Sequence, residues 1–377
     1  MFKFDQYKLR YFNFRLLLYV LLLSAAGVIF ISSATMNSGG DTVTKQIMGI
    51  AIGAVCMMVI AMMDYHFILK LWPLVYLGCV ALLIAVLIWG DANGIAKRWI
   101  TLPGIGNLQP SEFSKIGLIV TLAAFFGKFQ KRISSLPVVA ASAALFGVMA
   151  FLIFEEPNLS TMLVITFIFV VMIYAAGISY KWILGVLAAC IPVAGILIYI
   201  ILQPDQTLFQ GYQINRIMNW LNPDEASLDS VRQTLYSVQA IASGQLTGKG
   251  LFNTSAESIK NGNFLSEEDT DFIFAVIGEE TGFVGSVIIV ALLFLVVAEC
   301  IWLAIRARDM EGRLICIGMG SLIAFQTFVN IGVATQLLPN TGLPLPFISA
   351  GLSSLLSLMM GMGLVFNVGL QRKRDNS

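Results

Sequence analysis

One apolar run follows another along this 377-residue chain, each about 17 residues or longer, and that repetition governs what it can fold into. A run of that length covers a hydrocarbon core of roughly 30 Å at about 1.5 Å rise per residue. Inside such a core every backbone N–H and C=O must be satisfied by the protein itself, which leaves helices or a closed barrel. The runs stay apolar on successive residues, as in Val287-Ile288-Ile289-Val290-Ala291-Leu292-Leu293, where barrel strands would alternate. With 58% hydrophobic and 12% charged residues, against roughly 45–50% and 25% in soluble domains, the chain is no water-soluble globule. The expected fold class is an all-α integral membrane protein, a single polytopic membrane domain over 1–377.

The runs predict about ten transmembrane helices, at 16–35, 46–63, 73–89, 113–127, 137–154, 160–176, 182–202, 272–305, 314–336 and 349–369. Lys3, Lys8, Arg10 and Arg15 precede the first run without a small-residue cleavage site, so it reads as a retained helix starting in the cytoplasm. An even count puts both termini inside, together with Lys70, Lys128, Lys131, Arg132, Lys181, Arg306, Arg308, Arg313 and the Arg372-Lys373-Arg374 tail. Most of the 23 basic residues then face the cytoplasm, as the positive-inside bias requires.

This topology leaves one long extracellular loop, 203–270, between helices 7 and 8, and long loops in compact proteins are commonly functional. Its segments Tyr212–Leu221 and Val231–Ala242 mix apolar and polar residues near a helical period, as interfacial amphipathic pieces do. Cys56, Cys79, Cys190, Cys300 and Cys316 lie in or beside apolar runs with no CxxC, and His66 is the only histidine. Disulfide, zinc and redox frameworks are not expected. No ligand spacing identifies a divalent cation, so the cofactor is open, and no nucleic-acid partner is expected.

Four polar constellations carry potential chemistry. Where the long loop re-enters the membrane, Glu267-Glu268-Asp269-Thr270-Asp271 is followed two turns later by Glu279-Glu280. Read from this segment alone, Asp271 is first of all a helix N-cap, with a functional carboxylate as the alternative. A charge as deep as Glu279 or Glu280 costs roughly 2.5–3.5 kcal/mol, so a protein-lined cavity or an ion-pair partner is expected for at least one, unless the helix starts late enough to leave both at the interface. The second constellation is Lys97-Arg98-Trp99 followed by Gln109-Pro110-Ser111-Glu112-Phe113-Ser114-Lys115. Glu112 and Lys115, at i and i+3, can pair, while Lys97-Arg98-Trp99 reads as an interfacial anchor or as a site for an anionic headgroup. The third is the Glu155-Glu156-Pro157-Asn158 turn. The fourth, Leu338–Gly351 with three prolines, predicts a stiff non-helical wall, preceded by Gln326 and Asn330 as a polar interior or as packing glue.

Taken in order, these segments resemble the SEDS family of bacterial cell-wall proteins, the RodA, FtsW and SpoVE group. The resemblance rests on Ala-Lys-Arg-Trp, Gln-Pro-Ser-Glu-Phe-Ser-Lys, Glu-Pro-x-Leu-x-Thr, Thr-Asp-Phe-Ile-Phe-Ala-x-Ile-Gly-Glu-Glu and Pro-x-Thr-Gly-x-Pro-Leu-Pro-Phe-x-Ser, and it spans nearly the whole chain. It implies a ten-helix peptidoglycan glycosyltransferase of the bacterial cytoplasmic membrane, active at its outer face, that polymerises lipid II beside a class B penicillin-binding protein and among membrane lipids. It places the family's essential aspartate at Asp271. Candidate substrate contacts are Lys97, Arg98, Glu112, Lys115, Arg216 and Thr270, with Glu156, Glu279, Glu280, Gln326 and Asn330 as supporting polar groups. Two departures matter: Asn158 and Ser160 stand where the family usually has Asp and Gly, and Leu352 where a glycine is common.

Glycosyl transfer from a polyprenyl pyrophosphate requires a base for the attacking hydroxyl and cations for the leaving group. Asp271 is the expected base, and Arg98, Lys115 or Arg216 the expected cation. A lipid II flippase or other transporter is the rival reading, because intramembrane acids also mark transport pathways, but no inverted repeat shows in the chain. A non-catalytic scaffold for a partner synthase is the third.

Overall fold

The computed structural model describes residues 11–36, 41–93, 96–102, 106–186, 188, 192, 195, 220, 228–255, 258–260, 262, 265 and 267–371. A helix stands at nine of the ten predicted positions. These are α1 Phe14–Ala34, α2 Asp41–Met62, α4 Trp72–Trp89, α5 Pro110–Lys128, α6 Leu136–Glu155, α7 Leu159–Ala175, α9 Ile273–Arg306, α10 Met310–Ala334 and α11 Leu352–Leu370. Two further helices are α3 Tyr65–Lys70 and α8 Leu228–Ser243. The predicted helix at 182–202, the 212–221 segment with Arg216, and the basic tail lie wholly or largely outside the described residues.

Among the described residues, seven helices, α1, α2, α4, α6, α9, α10 and α11, are long and apolar enough to cross a membrane. The outer ones present large apolar side chains to their surroundings, among them Leu74, Leu77 and Trp89 of α4 and Phe151 of α6. The inner ones are enclosed by protein, and α5 is buried over most of its length, which lets a helix bearing Glu112 and Lys115 stand among apolar neighbours. Close backbone approach relies on small residues: a Cβ on Gly363 of α11 would lie 2.7 Å from the Met57 carbonyl oxygen of α2. Phe167 of α7 stacks on Phe325 of α10 at 4.5 Å between centroids.

Two features correct the all-helical, uninterrupted picture. The α4–α5 connection folds into an antiparallel sheet of β1 Asp91–Asn93, β2 Ala96–Leu102 and β3 Gly106–Leu108, in the order β1-β2-β3. The Lys97-Arg98-Trp99 segment is thus a strand, in a connection whose glycines and asparagines suit tight reversals. In addition, the 34-residue α9 is broken at Gly282, whose φ of 64° and ψ of −159° are non-helical. The first arm, Ile273 to Thr281, is a separate short helix.

At the end of the bundle away from the sheet and α8, His66 joins α3 to the α9–α10 connection. Its Nδ1 lies 2.9 Å from Asp64 Oδ1 and its Nε2 2.9 Å from Asp309 Oδ2. Tyr65 donates to the same Asp309 oxygen at 2.6 Å. An imidazolium satisfies both carboxylates with two donors. The hydrogen bond to Asp309 outweighs burial and raises the His66 pKa. Burial pulls Asp309 upward, but the bonds from His66, the Gly312 N–H and Tyr65 prevail and hold it at about 2. A raised histidine pKa contributes stability that is fully present below the unfolded value of about 6.5 and is lost as pH rises through the folded value. Thermal unfolding of the purified protein should therefore show the wild type losing its advantage over His66→Gln as pH rises above about 6.5; a pH-independent difference between the two would refute the imidazolium clamp.

Candidate active site

Three helices begin at one place. Pro110 opens α5, its missing N–H costing nothing at a first turn. Asn158 caps α7 by accepting from the Thr161 N–H at 3.2 Å, so the departure from aspartate keeps the cap while removing its charge. Gly351 precedes α11 without a side-chain cap. The three boundary residues Gln109, Asn158 and Gly351 all line one cavity of about 380 Å³. Helix N-termini carry unsatisfied N–H groups and a partial positive charge, so their convergence makes this cavity a favourable place for an anion.

Asp271 lines the same cavity, together with Thr270 and Glu267. It is not the N-cap of α9: Phe272 holds that position, with no side-chain cap bond. Three backbone carbonyls fix the segment instead. Asp269 O accepts from the Ala350 N–H at 2.8 Å, Thr270 O from the Ser349 hydroxyl at 2.6 Å, and Asp271 O from Asn330 Nδ2 at 2.9 Å. Asn330 Nδ2 also donates to Leu343 O at 2.7 Å, tying the aspartate to the proline-rich wall. In that wall Gly342 has φ +70°, and a Cβ there would lie 3.0 Å from Asp271 Oδ2, so the glycine gives the carboxylate room.

Arg98 enters from β2. Its Nε donates to Glu156 O at 3.2 Å and its Nη2 to Pro157 O, so the α6–α7 turn aims the guanidinium at the cavity. Ser160, the second departure, donates to Thr341 O of the proline-rich wall. The Glu156 side chain is fully buried, and neither carboxyl oxygen has a hydrogen-bond partner among the described residues. Burial, only partly opposed by Arg98, pushes its pKa up to about 8. In the segment leading to Asp271, Glu268 is likewise pushed up to about 8, by burial and then by Asp269.

Glu112 reaches the cavity and Lys115 stands behind it, Nζ lying 2.8 and 2.7 Å from the two carboxylate oxygens, with both side chains buried. Glu279 and Glu280 are ion-paired deeper in the bundle, with Lys249 and Lys260 respectively. Gln326 is buried, with neither amide atom hydrogen-bonded among the described residues. The Lys97 side chain and Arg216 lie outside the described residues. Sequence reasoning missed Gln233, Ser353 and Ser354 as cavity residues, and it marked Asn340 and Thr341 only as part of the proline-rich wall. Only their placement at the ends of apolar runs, or on the polar face of an amphipathic segment, could have signalled them. Among the described residues, the side chains close enough to share a metal ion are His66, Asp309 and Glu311, at the far end of the bundle. Both His66 nitrogens already face carboxylates there.

The buried Glu112–Lys115 pair gives a stability prediction. Lys115→Met should cost about 3–5 kcal/mol by stranding a buried carboxylate, and Glu112→Gln/Lys115→Met should recover most of that loss. Unfolding of the purified variants measures it; single-variant losses that simply add in the double variant would mean the pair is not coupled.

The family model described as "Cell cycle protein", FTSW_RODA_SPOVE, matches residues 11–374. The peptidoglycan glycosyltransferase MrdB of Escherichia coli K12 is 32% identical over 361 residues, covering 94% of this chain and 93% of MrdB. Stage V sporulation protein E of Bacillus subtilis is 35% identical over 369 residues, covering 94% and 95%. Among solved structures, a chain described under "Structural coordination of polymerization and crosslinking by a peptidoglycan synthase complex" aligns with a TM-score of 0.79 at 26% identity, covering 95% of this chain and 97% of that one. A family match across nearly the whole sequence, with relatives of this identity and coverage, shows that the chain belongs to the FtsW/RodA/SpoVE family of bacterial membrane proteins.

Proposed function

We propose that this protein is a peptidoglycan glycosyltransferase that polymerises lipid II, and that the cavity at the starts of α5, α7 and α11 is where the sugars are joined. One observation carries the assignment of the site: Asp271, Arg98 and three helix N-termini meet in a single cavity of about 380 Å³. The activity is the one its relative MrdB is named for.

Asp271 takes the proton from the 4-hydroxyl of the acceptor GlcNAc, and the resulting oxygen nucleophile displaces pyrophosphate directly from the donor anomeric carbon. The leaving group is already a stabilised anion and needs no strong general acid. Arg98 and the helix N-termini offset the charge that builds on the departing pyrophosphate. Glu112 is neutralised by Lys115 and so does not repel that anion. Thr270 and Asn330 act by placing Asp271. Lys97 and Arg216 remain proposed as further anion contacts.

In this reading the chain is a single polytopic unit with ten crossings, both termini in the cytoplasm and the 203–270 loop outside. It lies in the bacterial cytoplasmic membrane with the cavity at the outer face. The basic residues of the short loops and tail support that orientation through the positive-inside bias. A class B penicillin-binding protein is the proposed partner, in keeping with a structural neighbour that comes from a complex coordinating polymerization and crosslinking.

Replacing Asp271 by Asn keeps the shape and removes the base. The purified, folded Asp271→Asn protein should lose lipid II polymerisation by about 10²–10⁴-fold while still binding lipid II. A wild-type rate would overturn the assignment of the base.

A further inference from the structure

The break in α9 is built around a segment that the glycosyl-transfer chemistry does not use. Residues 244–250, which follow α8, lie across the break and repair its backbone. The Lys249 and Gly250 N–H groups donate to Glu279 O and Glu280 O at 2.9 and 3.0 Å. In return, the Phe283 and Val284 N–H groups donate to Gln245 O and Leu246 O at 2.9 and 3.2 Å. The approach leaves no room for side chains: a Cβ on Gly282 would lie 2.4 Å from Gly248 N, and one on Gly248 2.1 Å from Glu280 O. Both glycines have positive φ, 64° and 80°.

Two ion pairs fasten this segment. Lys249 Nζ lies 2.8 Å from Glu279 Oε1, and the same carboxylate accepts from the Ile259 and Lys260 N–H groups at 2.9 and 3.3 Å. Lys260 Nζ lies 2.6 Å from Glu280 Oε1 and 2.7 Å from Ser33 Oγ of α1. Glu279, Glu280, Lys260 and Ser33 are all buried. The arm they hold is short, running from Ile273 to the break, and Asp271 sits at its other end. A rigid arm transmits any shift or tilt at the break to the carboxylate.

We propose that Lys249 and Lys260 are positioning residues for glycosyl transfer: by pairing with Glu279 and Glu280 they lock residues 244–250 and 258–260 onto the α9 break and so fix the arm that presents Asp271. The proposal rests on Asp271 being the base. Neither lysine touches the cavity, so their loss acts on the chemical step through geometry, where a misplacement of about 1 Å costs on the order of 10²-fold.

The test measures kcat and KM for lipid II polymerisation by the purified full-length protein, alongside its thermal unfolding. Lys260→Met/Glu280→Gln removes both charges of the buried pair together, and Lys249→Gln loosens the partly exposed one. Each should lower kcat about ten- to a hundredfold with KM for lipid II within about twofold of wild type. Lys249→Arg, which keeps the charge, should restore most of kcat. The proposal is overturned if folded variants keep wild-type kcat, or if kcat falls only in step with the folded fraction and the arginine variant rescues nothing. Should the double variant not fold, Lys249→Gln decides alone. Asp271→Asn measured beside them separates the two ideas. An inactive Asp271→Asn with fully active lysine variants refutes the positioning role alone, and an active Asp271→Asn refutes the base assignment beneath it.

Discussion

Backbone polar groups inside a hydrocarbon layer have no water to turn to, and most of what is distinctive here follows from how the chain meets that constraint. A continuous helix satisfies its own backbone, so the regular parts are simply long and apolar. Each irregular part must borrow partners. The α9 break takes them from residues 244–250, and the carbonyls of residues 269–271 take them from Ala350, Ser349 and Asn330. The structure can therefore be irregular only where another element is packed against it, and the 270–271 segment, held in this way, lines the cavity.

The same logic applies to charge. An ionised side chain at the bilayer centre is costly, and Glu112, Glu279 and Glu280 are each answered by a lysine within 2.8 Å. Glu156 has no such partner among the described residues and is instead driven toward its neutral form by burial. Pairing Glu112 with Lys115 leaves Arg98 and the helix N-termini as the positive side of the cavity, facing the carboxylates of Asp271 and Glu267. A polyprenyl pyrophosphate needs that combination, a base beside a site for a leaving anion.

Much of this could be read from the chain, and the unread part has a common cause. Helix positions were legible because an apolar run of sufficient length has one stable fate in a bilayer. The Glu112–Lys115 pair was legible because helical spacing alone brings i and i+3 together. Local chemistry misassigned Asp271 as a candidate cap, since capping depends on where the helix starts, and it starts one residue later than that role requires. The partners of Glu279 and Glu280 were not legible: Lys249 and Lys260 lie 30 and 20 residues away in a loop whose path no periodicity reveals. Gln233, Ser353 and Ser354 reach the cavity by tertiary packing, which no local pattern reveals either. The small sheet escaped notice because its strands are three to seven residues long and share their composition with loops.

The central claim is that lipid II reacts in the cavity containing Asp271 and Arg98. Thiol labelling tests it most directly, using a Thr341→Cys variant with the native cysteines replaced, in proteoliposomes exposed to a membrane-impermeant maleimide. Thr341 lines the cavity without being assigned a chemical role. The account predicts that the thiol is labelled from the outer face, that lipid II slows the labelling, and that the labelled protein stops polymerising. Labelling from the inner face only, or labelling at an unchanged rate under saturating lipid II with polymerisation intact, would contradict it.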